Sequence, residues 1–279
     1  MNEQAKRTPA LISVMMPCHN GAAFLDATIA SIRAQTYPHW ELLFVDDGST
    51  DRTLEIIERH AAADARIRVF AMPHGGRGRA RNTCIGQVRG EFVAVCDADD
   101  ISLPERFARQ LAYLRAHPEV GVLGSGWVPF VDSIAGAGRA ATGFPSTPQA
   151  IGAQFSRRKM RFHNATAMLR ASLFERYGAY NAELRRAQDY EFYARLSRAG
   201  VLFAALPEAL LYYRQEGKIP SLMYFRENGM FMSYADRVLS GNSEVFADFA
   251  ASFGGRAWYA YYTLKYAYFY LKMRVRTHG

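Results

Sequence analysis

Residues Glu41-Leu42-Leu43-Phe44-Val45-Asp46-Asp47-Gly48-Ser49-Thr50-Asp51 form a short apolar run that ends abruptly in adjacent carboxylates and a turn. Such a run, closed by Gly and Ser, predicts a buried strand. Leu11 to Met16, Ile67 to Ala71 and Glu91 to Cys96 have the same character, and helical patterns fall between them. Phe24, Leu25, Ile29 and Ile32 share one helix face. Leu54, Ile56 and Ile57 mark a second helix after Gly48-Ser49-Thr50, and a third is predicted from Gly78 to Val88, stopped by Gly90. Strands alternating with helices predict an α/β fold with a mostly parallel, Rossmann-like central sheet and helices on both faces.

Further along, Pro104 starts a helix with Phe107, Leu111 and Leu114 on its inner side, ending near His117-Pro118. Val120 to Leu123 and Trp127 to Val131 read as two strands, and residues 134–148, rich in Gly, Ala, Ser and Pro, as a mobile loop. His163 to Leu169 is strand-like. Helices are predicted at Ser172 to Tyr177 and Asp189 to Ala199, and strands at Val201 to Leu206 and Ala209 to Tyr213.

Bulk properties narrow the classes. With 279 residues, 49% of them hydrophobic, the chain can bury a sizeable core and is not disordered. Its formal charge of +8 favours anionic partners: nucleotides, phosphorylated substrates, nucleic acid or an acidic membrane face. Cys18, Cys84 and Cys96 lack CxxC spacing and read as reduced thiols of a cytosolic protein. The run from Leu11 to Met16 is too short for a membrane span, and no uncharged stretch reaches that length.

Two acidic clusters follow predicted strands, where an open α/β sheet places its ligands. In the first, Asp46 and Asp47 repel each other and need a compensating partner; a carboxylate there can accept a hydrogen bond from a nucleobase imide, and one Asp can equally cap the next helix. The second, Asp97-Ala98-Asp99-Asp100, crowds three carboxylates that a cation would neutralise, and hard oxygen ligands suit Mg²⁺ or Mn²⁺. Between them, His74-Gly75-Gly76-Arg77-Gly78-Arg79-Ala80-Arg81-Asn82 offers glycines for close backbone approach and three arginines for a phosphate. It is not a Walker A loop. Asp189 begins an amphipathic helix, as an N-cap or as a general base. His163 and Asn164 could orient a substrate.

Taken in order, these pieces resemble the family 2 glycosyltransferases. Val14 to Asn20 matches the opening strand and donor loop, Ala34-Gln35-Thr36-Tyr37 the end of the first helix, and Val45 to Asp51 the VDDGSTD signature. Gly76 to Asn82 corresponds to the segment ending in Ala-Arg-Asn, and Asp97 to Asp100 with Pro104-Glu105 to the DxDD metal motif. The resemblance covers roughly residues 10–215. It implies a GT-A fold with a catalytic domain over 1–215, divided into a nucleotide-sugar-binding half (10–103) and an acceptor-binding half (104–215), and a C-terminal helical extension over 216–279.

The resemblance also implies roles. Asp47 would hold the uracil imide of a UDP donor, with Pro17 and His19 lining the base pocket. Gly76 and Arg77 would lie near the base or diphosphate. Asp97 and Ala98 would contact the donor, Asp97 at the ribose or the metal's shell; Asp99 would ligate Mg²⁺ or Mn²⁺, and Asp189 would be the base. Two departures stand out: Gln188 replaces the usual Glu before the base, and Gln215-Glu216-Gly217-Lys218 follows Arg214 where many relatives carry a diphosphate-contacting His, leaving Lys218 or Arg214 to substitute.

The implied reaction is an inverting, metal-dependent transfer from a nucleotide sugar to a hydroxyl of a glycan or lipid-linked saccharide in cell-surface polysaccharide synthesis. A sugar-phosphate nucleotidylyltransferase would also join acidic metal ligands to nucleotide phosphates, but its Gly-rich opening loop is replaced here by Pro17-Cys18-His19-Asn20. A basic nucleic-acid binder gives no reason for acidic clusters at strand ends, so no nucleic-acid partner is expected. From Trp258 to Arg276 aromatic residues alternate with Lys265, Lys272, Arg274 and Arg276, which suits either an interfacial helix on an anionic membrane or a core-packing helix. The expected location is the cytoplasm, with peripheral contact at the inner face of the cell membrane through this tail.

Overall fold

The computed structural model describes residues 7–142, 149–151, 163–215 and 222–241, with isolated positions at 248, 257, 260, 261 and 264. Its centre is an eight-stranded sheet: β1 (Thr8–Cys18), β2 (Trp40–Asp47), β3 (Ile67–Met72), β4 (Gly90–Val95), β5 (Ile101–Ser102), β6 (Val120–Phe130), β7 (Met168–Arg170) and β8 (Leu202–Arg214). The spatial order is β3-β2-β1-β4-β7-β6-β8-β5. β3, β2, β1 and β4 are parallel; β7 runs against β4 and β6, β8 lies parallel to β6, and β5 runs against β8. The mostly parallel sheet predicted from the sequence is therefore found.

Helices α1 (Leu25–Arg33), α2 (Thr53–Ala63), α3 (Arg77–Gly86) and α4 (Arg106–Ala116) follow β1, β2, β3 and β5, and α5 (Ser172–Tyr177), α6 (Gln188–Arg198) and α7 (Leu222–Leu239) complete the chain order. Strand alternation sorts the core into two layers. Val14, Met16, Leu42, Phe44, Phe92 and Ala94 pack with α1, α2 and α4, while Met15, Leu43, Val45, Val93 and Val95 pack with α3, α5 and α6. Every residue of β2 is buried, as expected of a central strand covered on both faces.

Several predicted boundaries move. α3 ends at Gly86, and Gly90 instead opens β4, where a Cβ would stand 2.4 Å from the Leu11 carbonyl oxygen of the neighbouring strand. The paired strands predicted at 120–131 are one strand, β6, and those at 201–213 are likewise one strand, β8. Their parallel pairing carries the backbone through Gly124-Ser125-Gly126 and Pro207-Glu208 by register shifts. In the predicted strand from His163 to Leu169, Asn164–Thr166 is a 3-10 turn and only Met168–Arg170 joins the sheet.

α7, the first part of the predicted C-terminal helical extension, docks on the loop before α6 and on α6 itself. Phe231, Tyr234 and Ala235 meet Leu184, Ala187 and Tyr190 in a small apolar cluster. Tyr190 Oη donates to Asp236 Oδ1 at 2.9 Å and Tyr234 Oη to Glu183 Oε2 at 2.8 Å. The tail from Trp258 to Arg276 lies outside the described residues except at its isolated positions, as does Lys218. Among the described residues no helix is long and apolar enough to cross a membrane.

Candidate active site

β1, β2, β4, β6 and β8 all end at one edge of the sheet, and the predicted site residues other than Asp189 leave from that edge. At the end of β2, alternation sends Asp46 and Asp47 to opposite faces. Asp46 Oδ2 accepts the Ser49 amide at 3.1 Å and closes the turn. Asp47 faces the α3 side, where its two carboxylate oxygens accept the amides of Gly75 at 2.7 Å and Gly76 at 2.9 Å. The carboxylate thus fixes the glycine loop. Gly48 makes the turn at φ 69°, and a Cβ there would lie 2.6 Å from His74 N.

His19 and His74, from the loops after β1 and β3, cover this turn. Their ring centroids are 4.3 Å apart, and each Nδ1 lies within 3.0 Å of the Asp47 carbonyl oxygen. Pro17 is half-buried beside Val45 in the parallel register. The sequence places His19 in the base pocket through the family resemblance and puts His74 at the head of the glycine loop without assigning it a role.

Gly76 precedes α3 at φ 86°, and Arg77, the first residue of the helix, is exposed. Gly78 lets the helix approach the loop before α6: a Cβ there would stand 3.2 Å from both Ala182 Cα and Asn181 O. Asn82 then exchanges two hydrogen bonds with the Tyr180 backbone.

The turn Asp97-Ala98-Asp99-Asp100 leaves β4 and enters β5, which pairs with β8. Thr28 Oγ1 donates to Ala98 O at 3.0 Å, tying the turn to α1. Asp100 is buried, and its Oδ1 accepts the Arg214 amide at 2.9 Å, joining the turn to the end of β8. Arg214 Nε donates in return to Asp99 O at 3.1 Å, and its guanidinium lies over the Phe24 and Phe130 rings, 4.2 and 4.4 Å from their centroids. The fully buried Arg106 of α4 supports the turn from beneath, donating to Val95 O at 2.8 Å and Ser102 Oγ at 3.1 Å.

Burial and the neighbouring charge of Asp97 push the Asp99 carboxyl up to about 6, with Arg214 and Arg77 opposing. Burial, then Asp97 and Asp99, hold Asp100 well above its ordinary value. The three carboxylates therefore repel each other in a half-dry turn, the condition a cation relieves. Among the described residues no three His, Cys, Asp or Glu side chains are grouped to hold a metal ion. A one- or two-carboxylate set instead suits a divalent ion that keeps water and takes phosphate oxygens as its remaining ligands.

Asp189 is the second residue of α6, not its N-cap; Ala187 holds that place in a left-handed conformation at φ 59°. The half-buried Asp189 carboxylate accepts only its neighbour's amide, Tyr190 N, at 2.9 Å among the recorded hydrogen bonds. Asp189 thus satisfies a first-turn amide of α6 without being its N-cap residue. Gln188, where Glu was expected, is buried and donates to Arg185 O at 2.8 Å.

Buried Arg81 connects the acidic turn with α6. Burial disfavours its charge, but the fields of Tyr180, Asp189 and Asp97 outweigh this and raise its pKa. Its Nε and Nη1 have no hydrogen-bond partner. Burial lowers the pKa of His163, with the charges of Asp97 and Asp189 opposing. The charges of Asp97 and Asp189 thus both act on Arg81 and His163, while Asp47, His19 and the glycine loop lie at the end of β2. A cavity of about 610 Å³ lined by Arg170, Leu173, Arg176 and Val201 lies at the opposite end of β6 and β8 and touches none of these residues. All three cysteines are free and buried; burial, then Asp46, Asp51 and Asp99, push Cys18 up to about 12.

Comparison with known proteins identifies the family and the fold. The model of Glycosyl transferase family 2 matches residues 13–178, and the chain belongs to that family. EpsE of Bacillus subtilis (strain 168) is 32% identical over 235 residues, which are 82% of each chain. The crystal structure of S. aureus TarS 1-349 in complex with UDP-GlcNAc is similar at a TM-score of 0.62 and 23% identity, over 81% of this chain and 66% of that one. This chain therefore spans about two thirds of the length of TarS 1-349. The mannosyltransferase PcManGT from Pyrobaculum calidifontis, in complex with GDP-Man and Mn²⁺, gives 0.63 and 19% identity, over 89% of this chain and 69% of that one. The fold is the GT-A fold, and the chain is a family 2 glycosyltransferase.

Proposed function

We propose that this chain transfers a sugar, with inversion, from a UDP-sugar to a hydroxyl of a glycan or lipid-linked saccharide. The observation that carries this reading is the crowding of Asp97, Asp99 and Asp100 in one turn at the strand ends, tied to β8 through Arg214. The half-buried Asp189 stands at the start of α6, whose approach to α3 the Asn82–Tyr180 pair fixes, and the charges of Asp97 and Asp189 both act on Arg81 and His163. Residues 10–103 hold the donor and 104–215 the acceptor. Asp47, Pro17 and His19 frame the base, Gly76 and Arg77 the diphosphate side, and Asp97 and Ala98 the ribose side.

Asp99 is the ligand for Mg²⁺ or Mn²⁺, with Asp97 beside it. The bound ion supplies charge neutralisation for the departing diphosphate. Arg214, on the backbone of Asp99, supplies the cation that the missing histidine leaves absent. Asp189, half-buried in the first turn of α6, takes the acceptor proton during a single displacement. Asn164 Oδ1, which accepts the Tyr193 hydroxyl at 2.8 Å, holds the floor of the cluster. UDP rests on the family resemblance, and Mn²⁺ on the metal bound by PcManGT. Peripheral membrane contact through 258–276, at the cytoplasmic face, rests on the basic and aromatic composition of that tail.

A screen of nucleotide sugars with Mn²⁺ or Mg²⁺ tests the reading by thermal shift and by release of nucleoside diphosphate. A UDP-sugar is expected to stabilise the chain and release UDP. Pyrophosphate release from a nucleoside triphosphate and a sugar phosphate, with no turnover of any nucleotide sugar, would overturn it.

A further inference from the structure

We infer that Trp127, His163 and Tyr213 form a stacking platform for a hexopyranose ring at the reaction centre. The inference rests on the proposed transferase reading for its place in catalysis. The three rings come from β6, from the residue before the 3-10 turn, and from β8. Trp127 and His163 centroids lie 5.0 Å apart, His163 and Tyr213 4.2 Å, and Trp127 and Tyr213 5.3 Å. All three residues are only half-buried, so the cluster is not an interior one.

Two polar atoms in this group are left without a hydrogen bond among the described residues. Trp127 Nε1 and His163 Nδ1 are shielded from solvent and have no hydrogen-bond partner. Leaving a buried donor unmade costs about 1–3 kcal/mol, so native proteins rarely keep one without a ligand or water to satisfy it. A pyranose fits both needs, because its C–H face lies on an aromatic ring while its hydroxyls point outward to donors and acceptors. Aromatic side chains with a polar handle are suited to such half-wet surfaces.

Position separates a sugar from the nucleobase. Trp127 and Tyr213 stand near the C-terminal ends of β6 and β8, while the Asp47 turn ends β2. In the sheet order β2 and β6 are separated by β1, β4 and β7. At about 4.8 Å per strand the platform is roughly 20 Å from the base end, beyond the acidic turn. Tyr213 adjoins Arg214, which bonds Asp99 and Asp100, and His163 adjoins Asn164, which accepts the Tyr193 hydroxyl of α6, so the platform lies between the acidic turn and the helix that carries Asp189. The pyranose is therefore that of the donor or of the acceptor.

The test uses the full chain labelled with 5-fluorotryptophan, with the Trp127 ¹⁹F resonance assigned by its loss in Trp127→Phe. Movement of this resonance with UDP-glucose or UDP-GlcNAc but not with UDP assigns the platform to the donor sugar. Movement with methyl glucoside or methyl N-acetylglucosaminide, without nucleotide, assigns it to the acceptor. Trp127→Ala is expected to raise KM for the responding sugar about tenfold, the equivalent of losing about 1.4 kcal/mol, and Trp127→Phe, which keeps the ring, by less. A Trp127 signal unmoved by every nucleotide sugar and pyranoside, with KM unchanged in Trp127→Ala, overturns the inference even if UDP-sugars are turned over. Failure of all nucleotide sugars to bind would instead strike the proposed function, while the pyranoside titration still decides the platform.

Discussion

Asn82 and Tyr180 hold each other by two reciprocal hydrogen bonds, from Asn82 Nδ2 to Tyr180 O at 2.8 Å and from Tyr180 N to Asn82 Oδ1 at 2.9 Å. The pair locks α3 to the segment that leads into α6, so the spacing between Arg81 and Asp189 depends on it. Asn82→Ala strands two backbone groups and is expected to cost about 2 kcal/mol, at roughly 1 kcal/mol per net hydrogen bond. Urea unfolding of the variant measures this; wild-type stability would show that the clamp contributes nothing.

Asp189→Asn keeps the shape of the side chain and removes its basicity. Donor affinity by calorimetry is expected to stay near wild type while transfer falls on the order of 10²–10⁴-fold, the usual loss for a general base. Undiminished turnover would remove Asp189 from the base role.

Asp47 binds its own loop through both oxygens, and Asn offers only one acceptor. Asp47→Asn is therefore expected to release one of the Gly75 and Gly76 amides and to cost about 1–3 kcal/mol for a hydrogen bond to a charged group. Hydrogen–deuterium exchange across residues 72–80 reads the change directly. Equal protection in the two proteins would mean that the loop is held by other contacts.

Asp100 gives a pH signature. Its folded pKa lies above the ordinary 3.8, so the folded chain retains a proton that the unfolded chain releases. The resulting stability is complete below about pH 4 and is lost as pH rises through the folded value. Asp100→Asn removes this dependence. Without added divalent cation, its midpoint of thermal unfolding is expected to fall less than that of wild type between about pH 5 and about pH 8. A parallel decline in both proteins would show that Asp100 titrates normally.

β1, β2 and β4 were legible because their central residues are buried on both faces and read as apolar runs, whereas the half-buried edge strand β3 was marked by Val69-Phe70-Ala71. β6 and β8 were cut in two on paper by Gly124-Ser125-Gly126 and by Pro207, since local sequence cannot show that a partner strand carries the backbone across. β5 has two residues and therefore no periodicity to detect. Within the site, Asp47 and the turn at 97–100 were marked by carboxylates crowded after apolar strands. The embrace of Gly75 and Gly76 by Asp47, the bond between Asp100 and Arg214, and the placement of Trp127 beside His163 are long-range contacts with no local signal. Asp189 illustrates a finer limit. Its place at a helix start was clear, but its offset of two residues from the N-cap depends on the left-handed backbone of Ala187.

The most direct measurement is nucleotide release from a UDP-sugar by wild type and Asp99→Ala, each with Mn²⁺ and with a chelator in excess. The account predicts that wild type releases UDP only when the ion is present and that Asp99→Ala is inactive in both conditions, while its unfolding curve remains cooperative. Equal release by both proteins, unaffected by the chelator, would contradict it.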